Sequence, residues 1–354
     1  MRLTSCNKLF FLLVVMLLGL TSCEHRLLED PILNRYFMRV YIDEHLRNVN
    51  YGFYDETKKK PTYQSPRQLR LVCVDPETDK MVFERYLRET GCDEKGYYIQ
   101  GEFQAFEGTY NLMAYTFDVA NVNFVNDGTY YSMKARSLPI SNSEASQIFP
   151  TRDAGYAKDE AICRQPDHVF VSSIQGVKLN PTLKVDTIRT SKNEHPLAES
   201  LVKTYYIQVN VKGVEHVRSA VALITGMSGA KTMHNGEMIP DQVSSIYFSM
   251  DNGLAKERTS NDSRVAYATF NTFGKLPNVE GYVEISFEFK TKYDTYQTET
   301  FRLTDLFDTP MVKDNQWIII DKLIEITPPE GDESGGGLTP GVNDWDQVEG
   351  SVTI

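Results

Sequence analysis

Short apolar–polar alternations recur along the chain from residue 35 onward. In "FMRVYID" Met38, Val40 and Ile42 share one face, and a period of two marks a β-strand with one buried side. "QLRLVCVD" and "MVFERYL" are two more such runs. The cluster Pro76-Glu77-Thr78-Asp79-Lys80 between them predicts a hairpin turn. "GYYIQGEF" sets Tyr97, Ile99, Gly101 and Phe103 against Tyr98, Gln100 and Glu102, and "EGTYNLMAYTFD" follows through Gly108. In the second half, "TYYIQVNVKGV" points Tyr205, Ile207, Val209 and Val211 inward and Tyr206, Gln208 and Asn210 outward. "GYVEISFEFKTK" alternates Val283, Ile285, Phe287 and Phe289 with Glu284, Ser286, Glu288 and Lys290, and "TYQTETFRLT" is its expected hairpin partner. "WIIIDKLIEI" closes this half, and Pro328-Pro329 stops it.

The pattern weakens between Asn121 and Cys163. There Ser141 and Glu144 have the spacing of a capping box, which predicts one short helix in "SNSEASQIF". No amphipathic crossover helices separate the strands, so a parallel α/β sheet is not expected. The elements predict an all-β chain of two tandem antiparallel β-sandwiches, residues 35–165 and 166–327. A Gly/Pro linker, 328–341, then leads to a tail, 342–354. In that tail Val348, Gly350, Val352 and Ile354 alternate with polar residues behind Trp345, the pattern of one more strand.

The first residues form a separate unit. Arg2 and Lys8 precede an apolar run of 12 residues, Leu9 to Leu20, and then Thr21-Ser22-Cys23. Positive, apolar and small segments in that order make a secretory signal. The apolar run is too short for a helix across about 30 Å of hydrocarbon. Leu20 with two small residues and a Cys resembles a bacterial lipobox, which implies cleavage after residue 22 and a diacylglycerol thioether on Cys23. Residues 23–34 would be the tether. Two or three acyl chains, at about 0.8 kcal/mol per buried CH₂, hold a protein on a membrane essentially permanently.

Charge narrows the partners. The whole chain carries 37 basic and 48 acidic residues, a net charge of −11, and loss of Arg2 and Lys8 with the signal makes it −13. Such a surface repels phosphate backbones, so no nucleic-acid partner is expected. It also offers no electrostatic pull toward anionic lipid. Beyond Cys23, three cysteines remain: Cys73, Cys92 and Cys163. Cys73, in a strand-like run, is expected as a buried free thiol, with a Cys73–Cys92 bridge as the alternative.

Catalytic patterns are absent, so no enzyme is expected. Gly226-Met227-Ser228-Gly229 falls short of a nucleophile elbow because Ala230 stands at the last position. It is expected to be a tight turn. P-loop, HExxH and GxGxxG patterns are missing. "DVANVNFVNDG" offers Asp118, Asn126 and Asp127 without EF-hand spacing, so neither a metal nor a cofactor is expected. Tyrosine and phenylalanine are abundant, at 20 and 18. The adjacent pairs Tyr97/Tyr98, Tyr130/Tyr131 and Tyr205/Tyr206 put one ring of each outward if they lie on strands. Outward rings either stack on sugars or pack across strands.

With a lipobox Cys, two β-domains, "GVEHVRSAVALITGMSG" and a closing "GGLTPGVNDWDQV", the chain resembles the Bacteroidales fimbrillin-associated lipoproteins. These are anchor-type minor subunits of type V pili, with related families of unknown function. The resemblance covers the C-terminal half well and the N-terminal half loosely. It implies two transthyretin-like sandwiches, an outer-membrane lipid anchor with the folded part facing outward, and fimbrial subunits as partners. It also implies a role for the tail: Trp345, Val348, Gly350, Val352 and Ile354 as a strand donated to a partner subunit. The other reading of the tail is an edge strand of the second domain, or a segment without fixed structure. The rival reading of the protein is a surface glycan-binding lipoprotein beside an outer-membrane transporter.

Overall fold

A computed structural model of the chain describes residues 34–43, 64–151, 160–180, 185–191, 194–250, 263–277 and 283–327. Among them twenty strands and two short α-helices form, so the chain is all-β. The strands make four sheets.

The largest sheet has nine strands. Its path runs β3 (Lys80–Leu87), β2 (Leu69–Asp75), β6 (Gly108–Tyr115), β10 (Phe170–Leu179), β12 (Leu197–Ser200), β1 (Asn34–Ile42), β5 (Gly96–Ala105) and β4 (Glu89–Asp93), with β11 (Asp186–Ile188) beside β1. It wraps a core in which Tyr36, Met38 and Val40 meet Leu69, Leu71, Ile99 and Leu112. Each fully buried side chain of this size contributes about 1.5–3 kcal/mol. The β2–β3 hairpin forms as predicted, and Asp75 Oδ1 accepts from the N–H groups of Glu77 and Thr78, each at 2.9 Å, to shape its turn.

β2 and β6 are buried on both faces. Leu71 and Cys73 face the first core, whereas Val72, Val74, Met113 and Tyr115 face a second. That second core is roofed by β15 (Ala230–Thr232), β8 (Lys134–Ser137) and β7 (Val122–Val125). The unbroken apolar run "LRLVCV" is the sequence trace of a strand covered on both sides.

The second half is a sandwich of two sheets. One is β17 (Ser263–Thr272), β13 (Lys203–Lys212) and β20 (Trp317–Glu325). The other runs β19 (Tyr296–Arg302), β18 (Glu284–Thr291), β14 (Val217–Ser228), β16 (Val243–Ser249) and β9 (Ala161–Cys163). Ile207, Val209 and Val211 meet Ile285, Phe287 and Phe289 between them, and Phe248 stacks on Phe270 at 4.6 Å. Helix α1 (Asn142–Ile148) begins as its capping box predicts: Glu144 N–H donates to Ser141 Oγ at 3.1 Å.

Several expectations need correction. The sheets are not purely antiparallel: β1 runs parallel to β11 and β12, β13 to β20, and β16 to β9. The cut expected at 165/166 does not coincide with a change of sheet. β9, before it, joins the second half; β10, β11 and β12, after it, return to the first sheet; β15 of the second half pairs with β8 of the first. Gly226-Met227-Ser228-Gly229 is no simple turn. Gly226 (φ 71) sits in a bulge of β14, where the register with β16 shifts between Ile224 and Met227.

Two side chains expected to face water are buried. Tyr206 is 1% exposed because Trp317 packs on it at 5.0 Å. Glu288 is 4% exposed, beneath the segment that follows α1. Its carboxylate accepts from the Thr151 N–H at 3.3 Å and from the Thr151 hydroxyl, which lies 2.8 Å from Thr298 Oγ1. Burial pushes the Glu288 carboxyl above its ordinary pKa. Removing the donor strands that carboxylate, so Thr151→Val is expected to cost about 1–3 kcal/mol in urea unfolding. In a Glu288→Gln background the same change should cost clearly less. Equal costs in both backgrounds would show that the Thr151–Glu288 contact does not hold this strap.

Candidate functional site

The sequence-predicted site residues lie outside the described residues: Cys23 at one end, and Trp345, Val348, Gly350, Val352 and Ile354 at the other. The described strands fix where a tether would arrive and where a tail would leave. β1 starts at Asn34, opposite Ala105, and ends at Ile42, opposite Ala198. β12 continues in the same direction, and Leu201 and Val202 carry the chain into β13 at the junction of the halves. β13 and β20 then run side by side away from that junction. Ten residues of strand span about 33 Å. The chain therefore comes in at the free end of the first half and goes out at the free end of the second.

The point of departure is firmly held. Ile326 N–H donates to Lys212 O at 2.8 Å, and Gln297 Nε2 donates to Glu325 O at 2.7 Å. Lys212 pairs with Glu325. Gly213, at φ 81, lets the backbone approach: a Cβ there would stand 2.0 Å from Ile326 O. β20 is an edge strand, paired with β13 on one side; among the described residues no strand pairs with its other side. It bulges at Asp321 and Lys322, since Ile320 lies opposite Val209 and Leu323 opposite Asn210. Leu323 is 55% exposed on this edge. An open edge of backbone donors and acceptors is a template for an added strand.

Groups with chemical potential elsewhere are occupied structurally. Ser228 is fully buried, and its hydroxyl donates to Ala230 O at 2.7 Å. Asp127 accepts from Arg70 and, at 3.1 Å, from the Tyr115 hydroxyl, an ion-pair network that ties β2, β6 and the loop after β7. Cys73, Cys92 and Cys163 are free thiols, so the Cys73–Cys92 bridge does not form. Burial raises the Cys73 thiol, and pushes that of Cys163 up to about 11. Among the described residues no three His, Cys, Asp or Glu side chains gather as a metal site. No described helix is long and apolar enough to cross a membrane. Of the tyrosine pairs, Tyr205 and Tyr206 are both buried, whereas Tyr131 is 45% exposed. Periodicity did not mark the difference, because Tyr130 and Tyr131 lie in a loop.

Residues 75–249 match the model of DUF5119, a domain of unknown function. The match covers just under half of the chain. It runs from the end of β2 to the end of β16 and therefore spans the junction of the halves. Over 326 residues the chain is 22% identical to an inferred fimbrium anchoring subunit of Bacteroides ovatus, Fim4B, covering 81% of this chain and 86% of that protein. An inferred adhesin from Bacteroides ovatus, solved at 3.00 Å, shares the fold with a TM-score of 0.52 at 18% identity, over 83% of this chain and 93% of that one. The fimbrial anchor protein Mfa2 from Porphyromonas gingivalis aligns with a TM-score of 0.42 at 14% identity, over 82% and 91% of the two chains. The DUF5119 match stops at Ser249, short of the β13–β20 pair's second strand and of the tail.

Proposed function

We propose that this chain is a non-enzymatic, lipid-anchored subunit of the cell surface that anchors or assembles a fimbria-like polymer. The relationship to a fimbrium anchoring subunit supports the role. The observation that carries the mechanism is the strand direction: chain entry and chain exit lie at opposite ends of the described fold, and the exit follows an open edge strand. Cys23 would carry the lipid in the outer membrane. Eleven residues from Cys23 to Asn34 reach at most about 40 Å, so the first half would stand close to the membrane. The remote end would hand on the tail, with Val348, Val352 and Ile354 filling pockets of a fimbrial subunit, Gly350 passing the tight point and Trp345 plugging the entrance. The linker around Gly335-Gly336-Gly337 gives reach of about 5–6 Å × √n.

The test has two arms. Cys23→Ser should abolish metabolic labelling by palmitate and release the protein from membranes; unchanged labelling removes the lipid anchor from the proposal. Deleting residues 338–354 should leave the melting temperature in place while fimbriae disappear from the cell surface. A fall of more than roughly 5 °C, with fimbriae lost only in proportion to protein abundance, would assign the tail to its own domain instead.

A further inference from the structure

Unusual backbone angles collect at one place in the first half. Asp79 (φ 50) closes the β2–β3 turn, while Asn126 (φ 56) and Gly128 (φ 92) shape the loop after β7. Non-glycine residues take such angles at a cost, and positions of this kind gather where the surrounding structure must aim a side chain. What is aimed here is a pair of tyrosines. Asp79 Oδ1 accepts from the N–H of Tyr130 at 2.8 Å and of Tyr131 at 3.3 Å. Met81 N–H donates to Gly128 O at 2.7 Å, and Asn126 Nδ2 donates to Ser132 O at 3.2 Å. The loop is clamped from both sides, yet Tyr131 stays 45% exposed.

A bulge faces this loop. β10 slips register between Ile174 and Val177, and Gly176 (φ 63) has no atom within 4 Å of where a Cβ would stand. Bulges of this sort re-aim side chains beside functional sites. The Gly176 N–H donates to Asn111 Oδ1 at 3.0 Å, and Asn111 Nδ2 lies 3.5 Å from the Tyr131 hydroxyl. Ser173 Oγ donates to the Tyr130 hydroxyl at 2.5 Å, and Gln175 bonds the same oxygen. The last wall comes from the second half. His234, in the turn after β15, packs on Tyr130 at 5.7 Å and on Tyr131 at 5.5 Å. Met233 N–H donates to Met133 O at 2.9 Å and holds that turn to the loop. His234 Nδ1 is buried there without a hydrogen-bond partner.

The chemistry selects a ligand class. An exposed aromatic face accepts the C–H face of a pyranose. Amide, hydroxyl and imidazole groups both donate and accept, as sugar hydroxyls do. The carboxylate of Asp79 is committed to backbone N–H groups, and among the described residues that bond to or pack on the two tyrosine rings none is an Arg or Lys that could hold a phosphate or carboxylate. A proline-rich peptide would need a row of exposed rings, and among the described residues the rings in contact with Tyr131 are those of Tyr130, which is buried, and of His234. The geometry points to a subsite for a neutral sugar residue of a glycan, centred on Tyr131 and completed by His234 across the junction of the halves. A ring hydroxyl entering at the rim of Tyr131 would supply the missing partner of His234 Nδ1.

Saturation-transfer NMR and titration calorimetry on the full chain test this, with neutral oligosaccharides of glucose, galactose, mannose and N-acetylglucosamine as probes. At least one class should bind in the millimolar range. Tyr131→Ala should weaken it by about tenfold or more at unchanged melting temperature, and Tyr131→Phe by no more than about threefold. His234→Ala should weaken binding with Tyr131 intact. No binding by any of the four classes, or binding untouched by Tyr131→Ala, overturns the subsite; binding confined to sialylated or sulfated sugars overturns its neutral character. Deletion of residues 338–354 should leave sugar binding unchanged, so this outcome is independent of the anchor role.

Discussion

Gly213→Ala is expected to destabilise the second half by about 3 kcal/mol or more, lowering its melting temperature by roughly 6–12 °C. Two costs add. An alanine at φ 81 leaves the favoured region, at about 1–2 kcal/mol. Its Cβ would also stand 2.0 Å from the carbonyl oxygen of Ile326 and 3.1 Å from the carbonyl carbon. Those are backbone atoms, so no rotamer change relieves the clash. Either Gly213 or the end of β20 must move, and the 2.8 Å bond from Ile326 N–H to Lys212 O is lost. Gly176→Ala serves as the control. It places an alanine at φ 63 with nothing within 4 Å, so only the backbone cost of about 1 kcal/mol remains. If the two variants melt within 2 °C of each other, the close approach at Ile326 does not matter. Gly213 braces the end of β20, so under the proposed anchor role the variant should also reduce fimbriae beyond its effect on abundance.

The alternation of apolar and polar residues located most strands, because each strand of an antiparallel pair leaves its period of two in the chain. The hairpins β2–β3 and β18–β19 and helix α1 were legible for the same reason: their partners are close in sequence. Pairings between distant segments left no local trace. β13 meets β20 about one hundred residues later, and the cue for that, a second buried face, is the same run of apolar residues any buried strand shows. Hence Tyr206 was placed outward, although Trp317 covers it. Glu288 misled for a related reason. A carboxylate in an alternating strand signals solvent, and only the return of residue 151 over β18 buries it. The excursion of β9 into the second half and of β10 to β12 back into the first is likewise a long-range choice, so a cut at 165/166 followed a dip in periodicity and not a change of sheet.

The candidate sites divided along the same line. The candidates at Cys23 and in the tail rest on sequence-local patterns and lie outside the described residues. The Tyr131 subsite was half visible. The tyrosine pair stood out, but Asn111, Gly176 and His234 come from three separate elements, and His234 from the other half of the chain. The signal that marks them, positive φ at Asp79 and Asn126 and a bulge at Gly176, belongs to the backbone and not to composition. Asp and Asn at such positions are the residue types that tolerate the left-handed region, which is the one hint the sequence carried.

Acid should loosen the junction of the halves through His168. This side chain sits between β9 and β10, with Nε2 3.2 Å from Thr204 Oγ1 at the start of β13 and Nδ1 3.4 Å from Ser200 Oγ at the end of β12. Thr204 donates its own proton to Asn271 Oδ1 at 2.7 Å, so the imidazole carries its proton on Nε2. Asn271 in turn donates to Pro166 O at 3.2 Å. Burial holds the imidazole down at a pKa of about 4, against the opposing pull of Asp167. An unfolded histidine titrates near 6.5. Above that pH both states are neutral and no penalty exists. As the pH falls from about 6.5 to about 4, the unfolded chain binds a proton that the folded junction refuses, so stability drops by up to about 3 kcal/mol. His168→Gln keeps a polar group in place but cannot take that proton. Its unfolding free energy should therefore fall less steeply across this window, even if the variant is about 1 kcal/mol weaker at pH 7.5. Urea melts at pH 7.5, 6, 5 and 4 decide it: parallel curves for the two proteins would exclude His168 as the cause. The contact between Tyr131 and His234 crosses the same junction, so sugar binding at Tyr131 should weaken over the same range of pH in the parent chain and less in His168→Gln.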